Sequence, residues 1–287
     1  MKKINLLTED IFKLFWTIAL PSSIGTIFQN LYSIVDAIYA GRMISEVALA
    51  AIGQTFPIYF VIIALGIGLS IATTSTVANY IGANNSDKAS YIFFQSLGLA
   101  IFVGFIISFL GIYFGPLILE SINNDKQTLI LSTEYMNIIY LGSTFILLLM
   151  ISNSCLAALG DTKSYRNVLI FSFFLNIILN PILITGKIVE IQLFTPLGIK
   201  GIAIATILSQ LIGLFYLLFK LSKTIIYINF KKNFIIPKFL LIKELLFQGV
   251  PASIGLMMIA LGSYILLYFV GIFGNNAIAG FASAGRY

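Results

Sequence analysis

Asp36 is the acidic residue that lies well inside a long apolar stretch of this 287-residue chain. The stretch reads FWTIALPSSIGTIFQNLYSIVDAIYAG, from Phe15 to Gly41. The other Asp and Glu residues sit in polar connections or near the ends of apolar runs. A carboxylate at membrane depth costs about 2.5–3.5 kcal/mol on insertion scales, so such a residue is kept for a cation, a proton or a charged ligand. Tyr32 precedes Asp36 by one helical turn and shares its face, within reach to donate to the carboxylate. Asn176 and Asn180 are also one turn apart, in IFSFFLNIILNPILI. Asn153 in LMISNSCLA and Thr206 in GIAIATILSQ are further polar groups in apolar runs. Taken singly, each amide or hydroxyl reads first as an interhelical hydrogen bond. Converging on Asp36, they offer either a hard-oxygen cage for sodium or a setting in which the carboxylate holds a proton in one state and releases it in another. A carboxylate that merely pairs with a neighbouring helix is the plainer alternative.

Two other features bear on that chemistry. Pro21 removes a backbone hydrogen bond 15 residues before Asp36, which leaves a hinge or a static kink. Gln54, Ser70, Thr73, Thr74, Ser75 and Thr76, with Gly66 and Gly68, read first as close helix packing and second as pore or substrate lining.

These residues must be held by membrane-spanning helices. Hydrophobic residues make up 59% of the chain and charged residues 10%, against about 25% charged in a soluble domain. The mean hydropathy is +1.00. Seven spans are expected, over 11–40, 47–80, 89–115, 128–157, 165–187, 199–221 and 241–271. Met1 to Asp10 is too polar for a secretory leader, so the first run reads as a retained span. With the N-terminus in the cytoplasm, twelve of the 17 Lys and Arg residues fall inside, which satisfies the positive-inside rule. That distribution accounts for the net charge of +6 without nucleic acid. The Lys220–Lys243 connection reads first as topogenic, with contact to anionic lipid heads as the second reading.

The chain has no histidine and one cysteine, Cys155. Histidine acid–base catalysis, a histidine metal site and an intrachain disulfide are excluded. Cys155 lies in an apolar run and reads as a small buried hydrophobe. No nucleophile–base pair is visible, so an enzyme ranks last.

An internal repeat orders the whole. LPSSIGTIFQNLYSIVDAIYAG (Leu20 to Gly41) aligns without a gap with VPASIGLMMIALGSYILLYFVG (Val250 to Gly271). Pro21 pairs with Pro251, Gly25 with Gly255 and Asp36 with Leu266. The copies are the first and seventh spans, an offset of six, so both run the same way through the membrane, as in parallel-repeat transporters. The expected organisation is a six-helix lobe over 1–230, then a linker and the start of a second lobe over 231–287. By symmetry a complete protein approaches twice the length of the first half, so the chain reads as truncated; a seven-span protein is the alternative.

VDAIYAGR, ALAAIGQTFPI, GLSIATTSTVANYIGANN, ALGDTKSYRN, LNIILNPILI and GIKGIAIATILSQ together resemble the multidrug and toxic compound extrusion (MATE) family over essentially the whole chain. The resemblance implies an all-α polytopic protein with twelve helices in two lobes when complete. It implies an inner-membrane antiporter, expected as a monomer, that exports cationic or amphipathic drug-like molecules against inward proton or sodium flow, with no other cofactor. It assigns the first-lobe cation site to Asp36, Asn176, Asn180 and Thr206. Tyr32, Asn153 and Gln54 tune the site or line the substrate path, and Pro21 bends the first helix. Two departures stand out. Many members carry Asp where this chain has Asn180, which tilts the expectation toward protons. One branch carries an acid in the seventh helix, and Tyr264 to Phe269 has none. Rival readings are a flippase for lipid-linked oligosaccharide or lipid II, and an inactive fragment or scaffold. The flippase calls for Lys or Arg deep in a span, and none is present.

Overall fold

The computed structural model describes residues 10–123, 125–188 and 191–284. The chain is helical, with nine α-helices among the described residues: α1 (Ile11–Tyr39), α2 (Glu46–Gly82), α3 (Ser86–Ile122), α4 (Lys126–Ala158), α5 (Lys163–Thr185), α6 (Ile199–Leu221), a short α7 (Ile225–Ile228), α8 (Phe239–Gly271) and α9 (Asn275–Ala284). Six of them, α2 to α6 and α8, are long and apolar enough to cross a membrane. The first expected span is α1, and several side chains in its N-terminal half lie outside the described residues.

Local signals set the boundaries. Ser45, Asn85 and Asp125 cap α2, α3 and α4 by accepting from the backbone N–H groups of Ala48, Lys88 and Thr128 at 3.1, 3.1 and 2.9 Å. The Thr128 backbone N–H and hydroxyl hold the Asp125 carboxyl below its usual range. Gly186 ends α5 in the left-handed region at φ +70° and donates to Ile182 O, an ending that favours glycine. One π-helical turn, Ala40–Ile44, joins α1 to α2.

Two details differ from the sequence expectation. The third span continues through Pro116 to Ile122, beyond the expected end at 115, because a proline in a membrane helix is tolerated where neighbouring helices support it. The connection after α5 holds a small antiparallel hairpin, β1 (Lys187–Ile188) with β2 (Ile191–Gln192), inside an otherwise all-α chain.

α4 is the hub of the lobe and packs on α2, α3 and α6; α5 bridges α1 and α6. The cores are aliphatic: one gathers Ile92, Leu147, Ile151 and Leu217, another Ile62, Met136, Ile139 and Ile202. Cys155 is fully buried in the first of these. The two repeat copies fall in α1 and α8, and α8 lies along α2 with α9 beside it.

Candidate functional site: a buried carboxylate between three helices

Asp36 is 6% exposed and faces α5 and α6. Asn176 Nδ2 donates to its Oδ1 at 3.0 Å, and Asn180 Nδ2 donates to the same oxygen at 2.8 Å. The two amides are joined to each other, Asn180 Nδ2 to Asn176 Oδ1, at 3.0 Å. Thr206 Oγ1 reaches Oδ2 at 3.4 Å and also Ile202 O at 3.1 Å, so one hydroxyl proton is shared between two acceptors. Both asparagines are fully buried, and Thr206 is nearly so. The buried Asn180 Oδ1 accepts no hydrogen bond, which leaves an oxygen beside the carboxylate for an O–H donor or a cation.

Helical periodicity explains the amide pair, since residues four apart stack on one face. Pro181 follows Asn180 inside α5 and lacks the N–H that would bond to Ile177 O. The Tyr39 hydroxyl from α1 fills that place, donating to Ile177 O at 3.0 Å. The proline thus creates a vacancy in α5 that ties it to α1, one turn from Asp36.

The expected residues divide. Asp36, Asn176, Asn180 and Thr206 come together. The Tyr32 hydroxyl is buried near Asp36, Thr206 and Ser209, but it makes no hydrogen bond of normal geometry, which corrects the expected donation to the carboxylate. The Asn176 and Asn180 amides occupy the carboxylate oxygen that faces α5. Asn153 lines a cavity of 240 Å³ with Thr26, Gln29, Tyr165 and Arg166. Gln54 is fully buried, and its amide donates to Ser132 Oγ at 2.7 Å, which ties α2 to α4 as a packing contact. Pro21 falls inside α1, and its side chain lies outside the described residues. Tyr39, Tyr59 and Ser209 are additions: Tyr59 lies in electrostatic range of Asp36, and Ser209 shares the α6 face of Thr206. Tyr39 lies three residues after Asp36 on the same helix face, but its partner, the Ile177 carbonyl freed by Pro181, had no sequence signal beyond Pro181 itself.

The MatE family model matches residues 21–182. The chain belongs to the MATE family. This MATE chain is 27% identical over 266 residues to the probable multidrug resistance protein YoeA of Bacillus subtilis, covering 91% of the chain and 56% of that protein. It is 30% identical over 266 residues to the probable multidrug resistance protein NorM of Thermotoga maritima, covering 92% and 55%. The outward-facing structure of a multidrug resistance MATE family transporter matches all of this chain and 62% of its own, with a TM-score of 0.83 at 26% identity. The chain therefore spans little more than half the length of these curated relatives. Its architecture is the expected one: a multi-pass, six-helix lobe followed by the start of a second.

Proposed function

We propose that the chain supplies the first lobe, and the start of the second, of a cation-coupled antiporter that exports cationic or amphipathic compounds across the bacterial plasma membrane. The observation that carries this reading is Asp36, buried among Asn176, Asn180 and Thr206 from two other helices. A single charge in such a place responds to a proton or a sodium ion, and helices that converge on it can convert that response into movement. Relatives named as multidrug resistance proteins support the substrate class. The reading is of a monomeric transporter and not an enzyme, with drug-like molecules and lipid as its partners. Efflux of a cationic dye from vesicles under an imposed proton or sodium gradient tests it. Efflux that is indifferent to both gradients overturns it.

Protons are the favoured coupling ion, because Asn180 carries no charge and adds no electrostatic attraction for sodium beside Asp36. Asn180→Asp would place a second carboxylate about 3 Å from the first, where the pair repels unless a cation or proton is shared. The expected outcome is a gain of sodium dependence, with half-saturating sodium lowered roughly tenfold, as about 1.4 kcal/mol of added attraction requires. Dye efflux measured against sodium at fixed pH reads this out, and a flat sodium response in the variant removes the charge argument.

The proposed orientation places the β1–β2 hairpin outside and the α6–α8 connection inside. Lys187→Cys should react with a membrane-impermeant thiol reagent added to intact cells, and Lys232→Cys only after permeabilisation. The buried Cys155 leaves the unmodified protein as a blank. The reverse labelling pattern would refute the orientation.

A further inference from the structure

The segment between α6 and α8, Ser222 to Lys238, plays no part in the transport reading, yet it is fastened to α3 along its length. Gln95 on α3 is buried and donates through Nε2 to Phe234 O at 2.6 Å and Ile236 O at 2.9 Å. Its Oε1 accepts from the Lys238 backbone N–H at 2.8 Å. The Phe234 ring stacks on Tyr91 with centroids 4.6 Å apart and planes at 12°. Asn229 Nδ2 donates to Ser86 Oγ at 2.7 Å, and Lys231 pairs with Asp87 at 2.6 Å.

This clamp fixes which side chains turn outward. Ile226 and Phe234 are buried, whereas Tyr227, Ile228, Ile235 and Ile236 remain 50, 74, 65 and 64% exposed. The sequence from Lys220 to Lys243 carries six lysines and no acid. Lys223, Lys231, Lys232, Lys238 and Lys243 are exposed. Of the neighbouring acids, Asp87 is engaged with Lys231, and Glu244 lies beside Tyr80 on α2. Two spans end at this segment, α6 at Leu221 and α8 at Phe239, so it lies at the level where hydrocarbon meets water. Large apolar side chains interleaved with lysines at that level match neither bulk water nor the bilayer core. They match the headgroup boundary, where apolar groups enter the acyl region and ammonium groups meet phosphate.

We propose that the clamped segment Ser222–Lys238, with its flanking lysines, is a binding element for anionic phospholipid. Charge complementarity selects the anionic headgroup, and the exposed isoleucines select a lipid over a soluble polyanion, which would leave them in water. Gln95 is the positioning residue, because it presents these side chains without touching the lipid. The inference stands independently of ion coupling at Asp36.

Native mass spectrometry of the full-length protein, with phosphatidylglycerol and phosphatidylcholine supplied in equal amounts, tests it. The unmodified protein should retain phosphatidylglycerol preferentially. The triple variant Lys232→Gln, Lys238→Gln, Lys243→Gln should lose about tenfold or more of that affinity. Gln95→Leu keeps every lysine and should also weaken retention. If Gln95→Leu fails to fold, the surface variant Ile235→Ser, Ile236→Ser makes the same test. Wild-type phosphatidylglycerol retention in the triple variant overturns the proposal, as does unchanged retention in the isoleucine variant. Displacement of the lipid by inorganic phosphate alone, at the same concentration, also overturns it and assigns a soluble anion instead.

Discussion

Asp36→Asn is expected to abolish concentrative efflux while leaving the lobe folded. The substitution is nearly isosteric, and the new side-chain oxygen can still accept from Asn176 and Asn180, which now share Oδ1 at 3.0 and 2.8 Å. What disappears is the charge. Each charge moved across 100 mV supplies about 2.3 kcal/mol, enough for roughly a 50-fold substrate gradient per cycle. Without a titratable or cation-binding group the dye should equilibrate rather than accumulate, so the steady-state gradient falls toward unity. Removal of a buried charge is often neutral or stabilising, so thermal unfolding should be unchanged or shifted upward. A variant that unfolds earlier would assign the carboxylate a structural role. A variant that still builds a proton- or sodium-dependent gradient would remove Asp36 from the coupling mechanism.

Much of this site was legible in the sequence because membrane burial makes polar residues conspicuous. Asp36 stands out by its insertion cost, and the Asn176–Asn180 pair by its spacing of one turn. The internal repeat gave the order of the spans and placed α8 parallel to α1. What remained hidden depends on how the helices pack. Gln54 looks like Asn176 in sequence, as an amide in an apolar run, yet its bond runs to Ser132 across α2 and α4. No periodicity within α2 decides which neighbour that face meets. Tyr32 shares a face with Asp36, but shared face does not fix hydrogen-bond geometry when two amides from α5 already occupy the carboxylate. The grip of Gln95 on the 234–238 backbone was equally invisible, since its partners are main-chain atoms about 140 residues away.

The second large effect is expected at Gly201, where α6 crosses α5. A Cβ at this position would lie 2.7 Å from Leu183 C, 2.8 Å from Ile184 N and 2.9 Å from Leu183 O. All three are backbone atoms and cannot rotate aside, so a side chain there must push the helices apart. The start of α6 has little freedom to yield, because Leu197 N and Gly198 N donate to Leu183 O and Ile184 O at 3.3 and 3.2 Å. Thr206 sits further along the same helix, and its reach to Asp36 is already 3.4 Å. A small outward shift of α6 takes that contact beyond hydrogen-bond range. Gly201→Ala should therefore destabilise the protein by about 1–3 kcal/mol, and Gly201→Val by more, through overpacking. Coupled efflux should fall in the same order. Gly98→Ala on α3 is the control, because nothing lies within 4 Å of a Cβ there. Thermal unfolding in one detergent, followed by dye efflux in vesicles, separates the two positions. Equal stability of the Gly201 and Gly98 variants would show that α5 and α6 can part without strain, and that close backbone approach does not hold Thr206 at the carboxylate.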